Sequence, residues 1–151
     1  MKNRRFTIIA TALVLVVLGF GLFLYFNHSS TFDEAIRKSF NLNKVSEIEI
    51  IQIDGPDEKS VTITDSKTIN KIMLVFSELK LKKDSFSDIE FDHSYWITVK
   101  GENNQNAAGI TLYDNHYLNL FLYNLDTSKN QSLSYKITND FALQLITELF
   151  N

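Results

Sequence analysis

From Phe6 to Phe26 the chain runs for 21 residues without a charge. Wound as an α-helix at about 1.5 Å per residue, such a run is roughly 30 Å long, the thickness of a bilayer's hydrocarbon core. Gly19 and Gly21 fit this reading, since glycine is common in membrane helices. The polar group Asn27-His28-Ser29-Ser30 closes the run. The expectation is a transmembrane anchor over 6–26, preceded by a basic cytoplasmic tail over 1–5. A cleaved secretory signal has a shorter apolar stretch, of roughly 7–15 residues. Here the small-x-small triplet Ala10-Thr11-Ala12 lies inside the apolar run, where cleavage does not fit.

Lys2, Arg4 and Arg5 stand directly before the run, and the next basic residue is Arg37. That bias predicts a single-pass protein of the cell membrane, with the N-terminus cytoplasmic and the C-terminal domain extracellular. With those three residues set aside, 12 of the 15 basic residues remain against 18 acidic ones, a formal charge of about −6. An acidic domain is badly matched to nucleic acid or to anionic lipid through long-range attraction, so no nucleic-acid partner is expected. The chain has no cysteine, which excludes a disulfide framework and a lipid-modified cysteine as the anchor. Stability therefore falls to a hydrophobic core, for which the roughly 120 remaining residues suffice.

Beyond the anchor, 27–44 reads as a linker with a short helix and 45–151 as one extracytoplasmic domain. Thr31-Phe32-Asp33-Glu34 has capping-box spacing, and Phe32, Ile36 and Phe40 predict a helix over about 32–40, stopped by Asn41-Leu42-Asn43. Val45–Ile53 reads as a strand. Its apolar parity switches at Ile50-Ile51, which implies a bulge there or burial on both faces. Asp54-Gly55-Pro56-Asp57 is a turn leading to a returning strand over Val61–Thr64. Asp65 or Ser66 can cap a helix whose stripe is Ile69, Ile72, Met73, Phe76 and Leu79. Four strand-like segments follow, over 95–100, 109–113, 117–123 and 133–137. Asn139 then caps a last helix with the stripe Phe141, Ala142, Leu145, Ile146 and Leu149. The expected fold class is α+β, a largely antiparallel sheet with helices packed on one face, in the order α-ββα-ββββ-α.

This order resembles TATA-box-binding-like and cystatin-like sheet-plus-helix architectures. With stretches such as Thr62-Ile63-Thr64-Asp65 and Tyr95-Trp96-Ile97, it is also similar to small anchored or lipid-linked extracytoplasmic domains of Gram-positive bacteria. Those families have no assigned activity, so the resemblance implies an extracytoplasmic domain and transfers no site residue.

Chemistry-bearing patterns are sparse. Asp84, Asp88, Glu90, Asp92 and His93 could offer oxygens to Ca²⁺, but the glycine and closing glutamate of a calcium loop are missing and Phe91 interrupts the series. His93 and His116 lack the close spacing of transition-metal ligands. There is no nucleophile elbow, phosphate loop or dinucleotide fingerprint. No metal, cofactor or catalytic residue is expected. One feature remains. If Ile97, Val99, Ile110, Leu112, Leu118, Leu120 and Leu122 face the helices, period two sends Trp96, Thr98, Lys100, Thr111, Tyr113, Tyr117, Asn119, Phe121 and Tyr123 outward. Two readings of this face stand: a binding surface centred on Trp96, Tyr113, Tyr117, Phe121 and Tyr123, or structural cover by cross-strand pairing and the 80–94 segment.

The expected function is a non-enzymatic, membrane-anchored binding domain of protective or immunity-like character. Its partners would be the bilayer, through 6–26, and a protein or peptide at the cell surface. The alternatives are an accessory subunit of a membrane complex and, third, an envelope-acting hydrolase.

Overall fold

The structure is a computed structural model that describes residues 2–26, 29–36, 44–54, 56–86, 88–101, 106–123 and 130–151, with side chains described except at 2–10, 24–26, 106 and 107. It is α+β, built on one eight-stranded antiparallel sheet with a few helices.

Helix α1, Lys2–Phe26, is 25 residues long. Its described side chains, 11–23, are all exposed, from 55% at Val14 to 70% at Val16 among the larger ones. They stop short of the full 6–26 run, and among the described residues no helix is long and apolar enough to cross a membrane. Strand β1, Ser29–Thr31, and helix α2, Phe32–Ile36, come next. The capping box forms as its spacing requires. The Thr31 amide donates to Glu34 Oε2 at 2.9 Å, and the Glu34 amide donates to Thr31 Oγ1 at 3.3 Å. Phe32 and Ile36 are fully buried. The expected continuation to residue 40 and the stop at Asn41–Asn43 lie outside the described residues, as does Arg37.

Strands β2, Val45–Asp54, and β3, Asp57–Ile63, form the expected hairpin, closed where Asp54 pairs with Asp57. The parity switch in β2 is burial on both faces. Ile48 and Ile50 enter the core, Ile51 and Ile53 lie half-buried on the other side, and the pairing is unbroken from Ile48 to Asp54. Of the two alternatives the sequence left open there, burial on both faces is the one observed; a register shift against β5 lies elsewhere, between Val45 and Glu47.

Helix α3, Ser66–Ser77, starts at the Asp65 cap, whose carboxylate accepts from the Thr68 amide at 2.8 Å and the Thr68 hydroxyl at 2.7 Å. That doubly donated carboxyl is held below its usual pKa, chiefly by the Thr68 hydroxyl and then the amide. Ile69, Ile72, Met73 and Phe76 face the core, with Leu79 buried just past the helix.

The remaining elements are β4, Lys80–Lys83; β5, Ser94–Gly101; β6, Asn106–Tyr113; β7, Tyr117–Leu122; β8, Gln131–Ile137; α4, Gln144–Thr147; and a 3₁₀ turn, Glu148–Phe150. The strands lie in the order β1-β4-β8-β7-β6-β5-β2-β3. The chain thus leaves β3 at one edge, passes through α3, and re-enters at β4, beside the opposite edge. Helices α2, α3 and α4 share one core with the inward-facing strand residues, and Phe76 joins Phe32 at 5.3 Å to Phe141 at 5.7 Å between ring centroids.

Two elements correct the expected order. β1 lies within the stretch read as linker, and β4 lies in the segment read as a connection; the observed order is α-β-α-ββα-βββββ-α. Neither is visible as a period-two pattern, because β4 sends only Leu81 into the core and β1 has no large apolar side chain. The end of the chain is corrected too. Asn139 caps no helix: it accepts from the Lys80 amide at 2.7 Å and donates to the Glu78 carbonyl at 3.1 Å. The last helix begins only at Gln144, and Ala142, expected inside, is exposed.

Candidate functional site: the outer face of the sheet

Alternation along β5 decides which way its single tryptophan points. Tyr95 and Ile97 are each 2% exposed, so Trp96 between them projects to the face away from the helices, where it is 53% exposed. Burial raises the Tyr95 phenol above its usual pKa, with the Asp114 and Asp54 carboxylates adding to the shift. In the register, Trp96 stands between Ile51 on β2 and Thr111 on β6, and the row continues to Asn119 and Ser134. Asn119 Nδ2 donates to Ser134 Oγ at 3.0 Å, and Ser132 Oγ donates to Asn119 Oδ1 at 3.4 Å. These bonds hold the amide and leave the row polar on one side of the indole and apolar, through Ile51, on the other.

One row further on, Tyr113 pairs with Tyr117. These two rings are not open like Trp96. Phe86 packs against both, at 5.7 Å from Tyr113 and 5.2 Å from Tyr117, and Phe91 packs edge-on to Tyr113 at 4.8 Å. The ammonium of Lys136 lies 5.9 Å from the Tyr117 ring centroid. The segment after β4 therefore folds over this part of the face. Its far end is latched by Asp114, whose carboxylate accepts from the His93 amide at 3.0 Å and the Asp92 amide at 3.2 Å. Asp114 itself takes a left-handed backbone, φ 50°, as the tight turn before β7 requires.

On the opposite side of the Trp96 row, Phe121 and Tyr123 meet edge-on at 4.9 Å. Gly109, paired with Phe121, leaves the space beside which the Tyr123 ring sits: a Cβ there would lie about 4.0 Å from it. Beyond them, Lys100 Nζ reaches Glu47 at 2.7 Å and Glu49 at 3.4 Å. The hydrogen bond to Glu47 is the main reason that the Lys100 pKa is raised.

The five aromatic residues singled out from the sequence thus share one face but not one environment. Trp96 is open, Tyr113 and Tyr117 lie against Phe86 and Phe91, and Phe121 and Tyr123 form a half-buried pair. Sequence reasoning offered burial on both faces for β2 as one reading but did not count Ile51 and Ile53 with the aromatic face they border. It also missed Phe86, which sits in no periodic pattern.

The acidic segment is spread out. Asp88, Glu90 and Asp92 are exposed, and His93 lies 3.8 Å from both Asp54 and Asp114. Among the described residues no three His, Asp or Glu side chains converge to hold a metal ion. A shallow open depression is lined by Lys83, Asp84, Ser85, Ser132, Leu133 and Ser134. No family model, curated protein or solved structure matches the chain.

Proposed function

We propose that this is a membrane-anchored extracytoplasmic domain whose outer sheet face binds a protein or peptide at the cell surface. The observation that carries the reading is Trp96. A large indole, 53% exposed, sits in the middle of a β-sheet between an isoleucine and a row of Thr and Asn side chains. Aromatic residues in polar surroundings are the usual centres of interaction surfaces, because they supply contact area at small entropic cost. The apolar run 6–26 supplies the anchor, and holding a domain at a surface raises its effective concentration for partners there.

Trp96 is the only tryptophan, so its fluorescence reports on this site alone. The reading expects red-shifted emission and ready quenching by iodide. It also expects a photo-crosslinking residue at Asn119, in intact cells, to give one discrete adduct that disappears when Trp96 and Phe121 are changed to Ala in a folded chain. A shielded indole, or adducts indifferent to those changes, would sink it. Extraction by carbonate, or protection of the domain from external protease, would defeat the membrane placement.

A further inference from the structure

Charge is segregated across the sheet. Strands β1, β4 and β8, at one edge, carry four charged residues, Lys80, Lys82, Lys83 and Lys136, and every one is a lysine. Strands β2 and β3, at the other edge, carry Glu47, Glu49, Asp54, Asp57 and Glu58 against Lys59 alone. The whole chain is acidic, with a formal charge of −3, so the basic edge runs against the general balance. The register sets Lys82 directly across from Lys136, which brings two of the four lysines side by side. The adjoining carboxylates are Asp33 and Glu34 just after β1, Glu78 just before β4 and Asp84 just after it. Eight strands make seven steps of about 4.8 Å, so the two edges are separated by roughly 34 Å measured along the sheet.

Chain connectivity says where the basic edge must be. Helix α1 ends at Phe26 and β1 begins at Ser29, three peptide steps that can span at most about 11 Å. Ser29 pairs with Lys82, and Lys82 with Lys136. With α1 in a bilayer, the tether keeps β1 within about 11 Å of the end of α1, and the lysines lie one or two strand steps of about 4.8 Å from β1. Strand direction adds a second constraint. β8 runs the same way as β1, and it starts at Gln131, five residues before the Lys136 level. Upright strands would carry that start back toward the bilayer by about 17 Å, less what sheet twist removes. That is more than the tether accommodates. A sheet standing on its β1 edge has no such conflict.

We infer that the β1–β4–β8 edge docks against anionic phospholipid headgroups at the surface from which α1 emerges, with the acidic β2–β3 edge turned away. This orientation rests on the membrane-anchor reading above. It leaves the Trp96 face directed sideways, parallel to no lipid, and so open to a partner.

The chain has no cysteine, so single labels are unambiguous. Full-length Ser85→Cys and Ser60→Cys chains, labelled with a fluorophore, are reconstituted into vesicles of phosphatidylcholine alone or mixed with phosphatidylglycerol, each with a headgroup-borne quencher. A lysine near an anionic surface favours the docked state about fivefold, so three contribute on the order of a hundredfold. The label at Ser85 should be quenched in the anionic vesicles and largely released in molar salt, which shortens the screening length to about 3 Å. The label at Ser60 should stay unquenched in both. Lys80→Gln, Lys83→Gln and Lys136→Gln together should remove the lipid dependence, and the salt series on the unaltered lysines gives the same reading without any substitution. Equal quenching in both lipids would overturn the inference while the anchor stands. Quenching that vanishes as the protein is diluted in lipid would assign the edge to a second copy. Release by inorganic phosphate at constant ionic strength would make it a phosphate site. If the chain fails to float with phosphatidylcholine vesicles, the anchor reading falls and the docking falls with it.

Discussion

The two ends of the sheet are built on different principles. At one end β5, β2 and β3 are 8, 10 and 7 residues long, and ladders that run unbroken from Ile48 to Ile53 hold them. At the other, β1 and β4 are only 3 and 4 residues long. Ladders that short cannot hold themselves in place. Side-chain and backbone bonds from outside the two strands do it instead. Asn139 receives the Lys80 amide, the Thr138 amide and hydroxyl both donate to the Lys80 carbonyl, at 2.9 and 3.1 Å, and the Phe32 amide donates to the Leu79 carbonyl at 3.2 Å. Below them sits the Phe32–Phe76–Phe141 cluster. The long end is held by its own ladders, whereas the short end depends on bonds from residues outside its two strands.

The sharpest way to break this contrast is to empty the cluster under the short end. Phe76 is fully buried between Phe32 and Phe141. Phe76→Ala should cost about 3–5 kcal/mol in urea unfolding, the range for truncating a buried phenylalanine. Hydrogen exchange should show β1 and β4 opening before β2 and β5. If the β2 amides exchange first, the short end is not the dependent one.

A smaller change isolates the polar tie. Asn139→Ala leaves the Lys80 amide and the Glu78 carbonyl without their side-chain partner. The expected loss is about 1 kcal/mol, and faster exchange should be confined to β4. Uniform acceleration across the sheet would mean that Asn139 acts on the whole fold rather than on one strand.

Smaller still is the helix cap that leads into the short end. Asp65 has a lowered pKa because Thr68 donates to it. Its contribution is fully present above the usual carboxylate range and is lost as pH falls through its lower, folded value. Asp65→Ala should therefore lower the thermal midpoint slightly at neutral pH and flatten part of the acid limb of the stability curve. An unchanged acid limb would show that the cap does not titrate with folding.

The smallest effect belongs to the long end. Lys100 has a raised pKa, set first by its hydrogen bond to Glu47. The ion pair's contribution is intact below the ordinary lysine value and disappears as pH rises through the higher, folded one. Lys100→Met should change little at neutral pH and remove the alkaline dependence, an effect that added salt weakens. A large neutral-pH loss would make the long end as dependent on side chains as the short one.

Much of the fold is legible in the sequence because it is local. The Thr31–Glu34 box, the Asp65 cap, the stripe of α3, the Asp54–Asp57 turn and the alternation over 95–99, 110–113 and 118–122 each have their determinants within a few residues, and each forms. The outer direction of Trp96, Tyr113, Tyr117, Phe121 and Tyr123 follows from the same period of two. Composition alone sets the cysteine-free core and the uncharged run 6–26.

Other features exist only in three dimensions. β1 and β4 become strands because β8 offers an unpaired ladder and the core has a place for Leu81; nothing within KLKK requires it. Asn139, which by local rules should start a helix, turns to the Lys80 amide because that donor, 59 positions away, is brought beside it. The fate of the aromatic face is decided in the same way. Period two fixes which side a ring is on, but not what covers it, and only the fold brings Phe86 and Phe91 over Tyr113 and Tyr117 while leaving Trp96 open. Direction is a property of the backbone repeat, whereas exposure is a property of whatever packs nearby, and that information is spread over the whole chain.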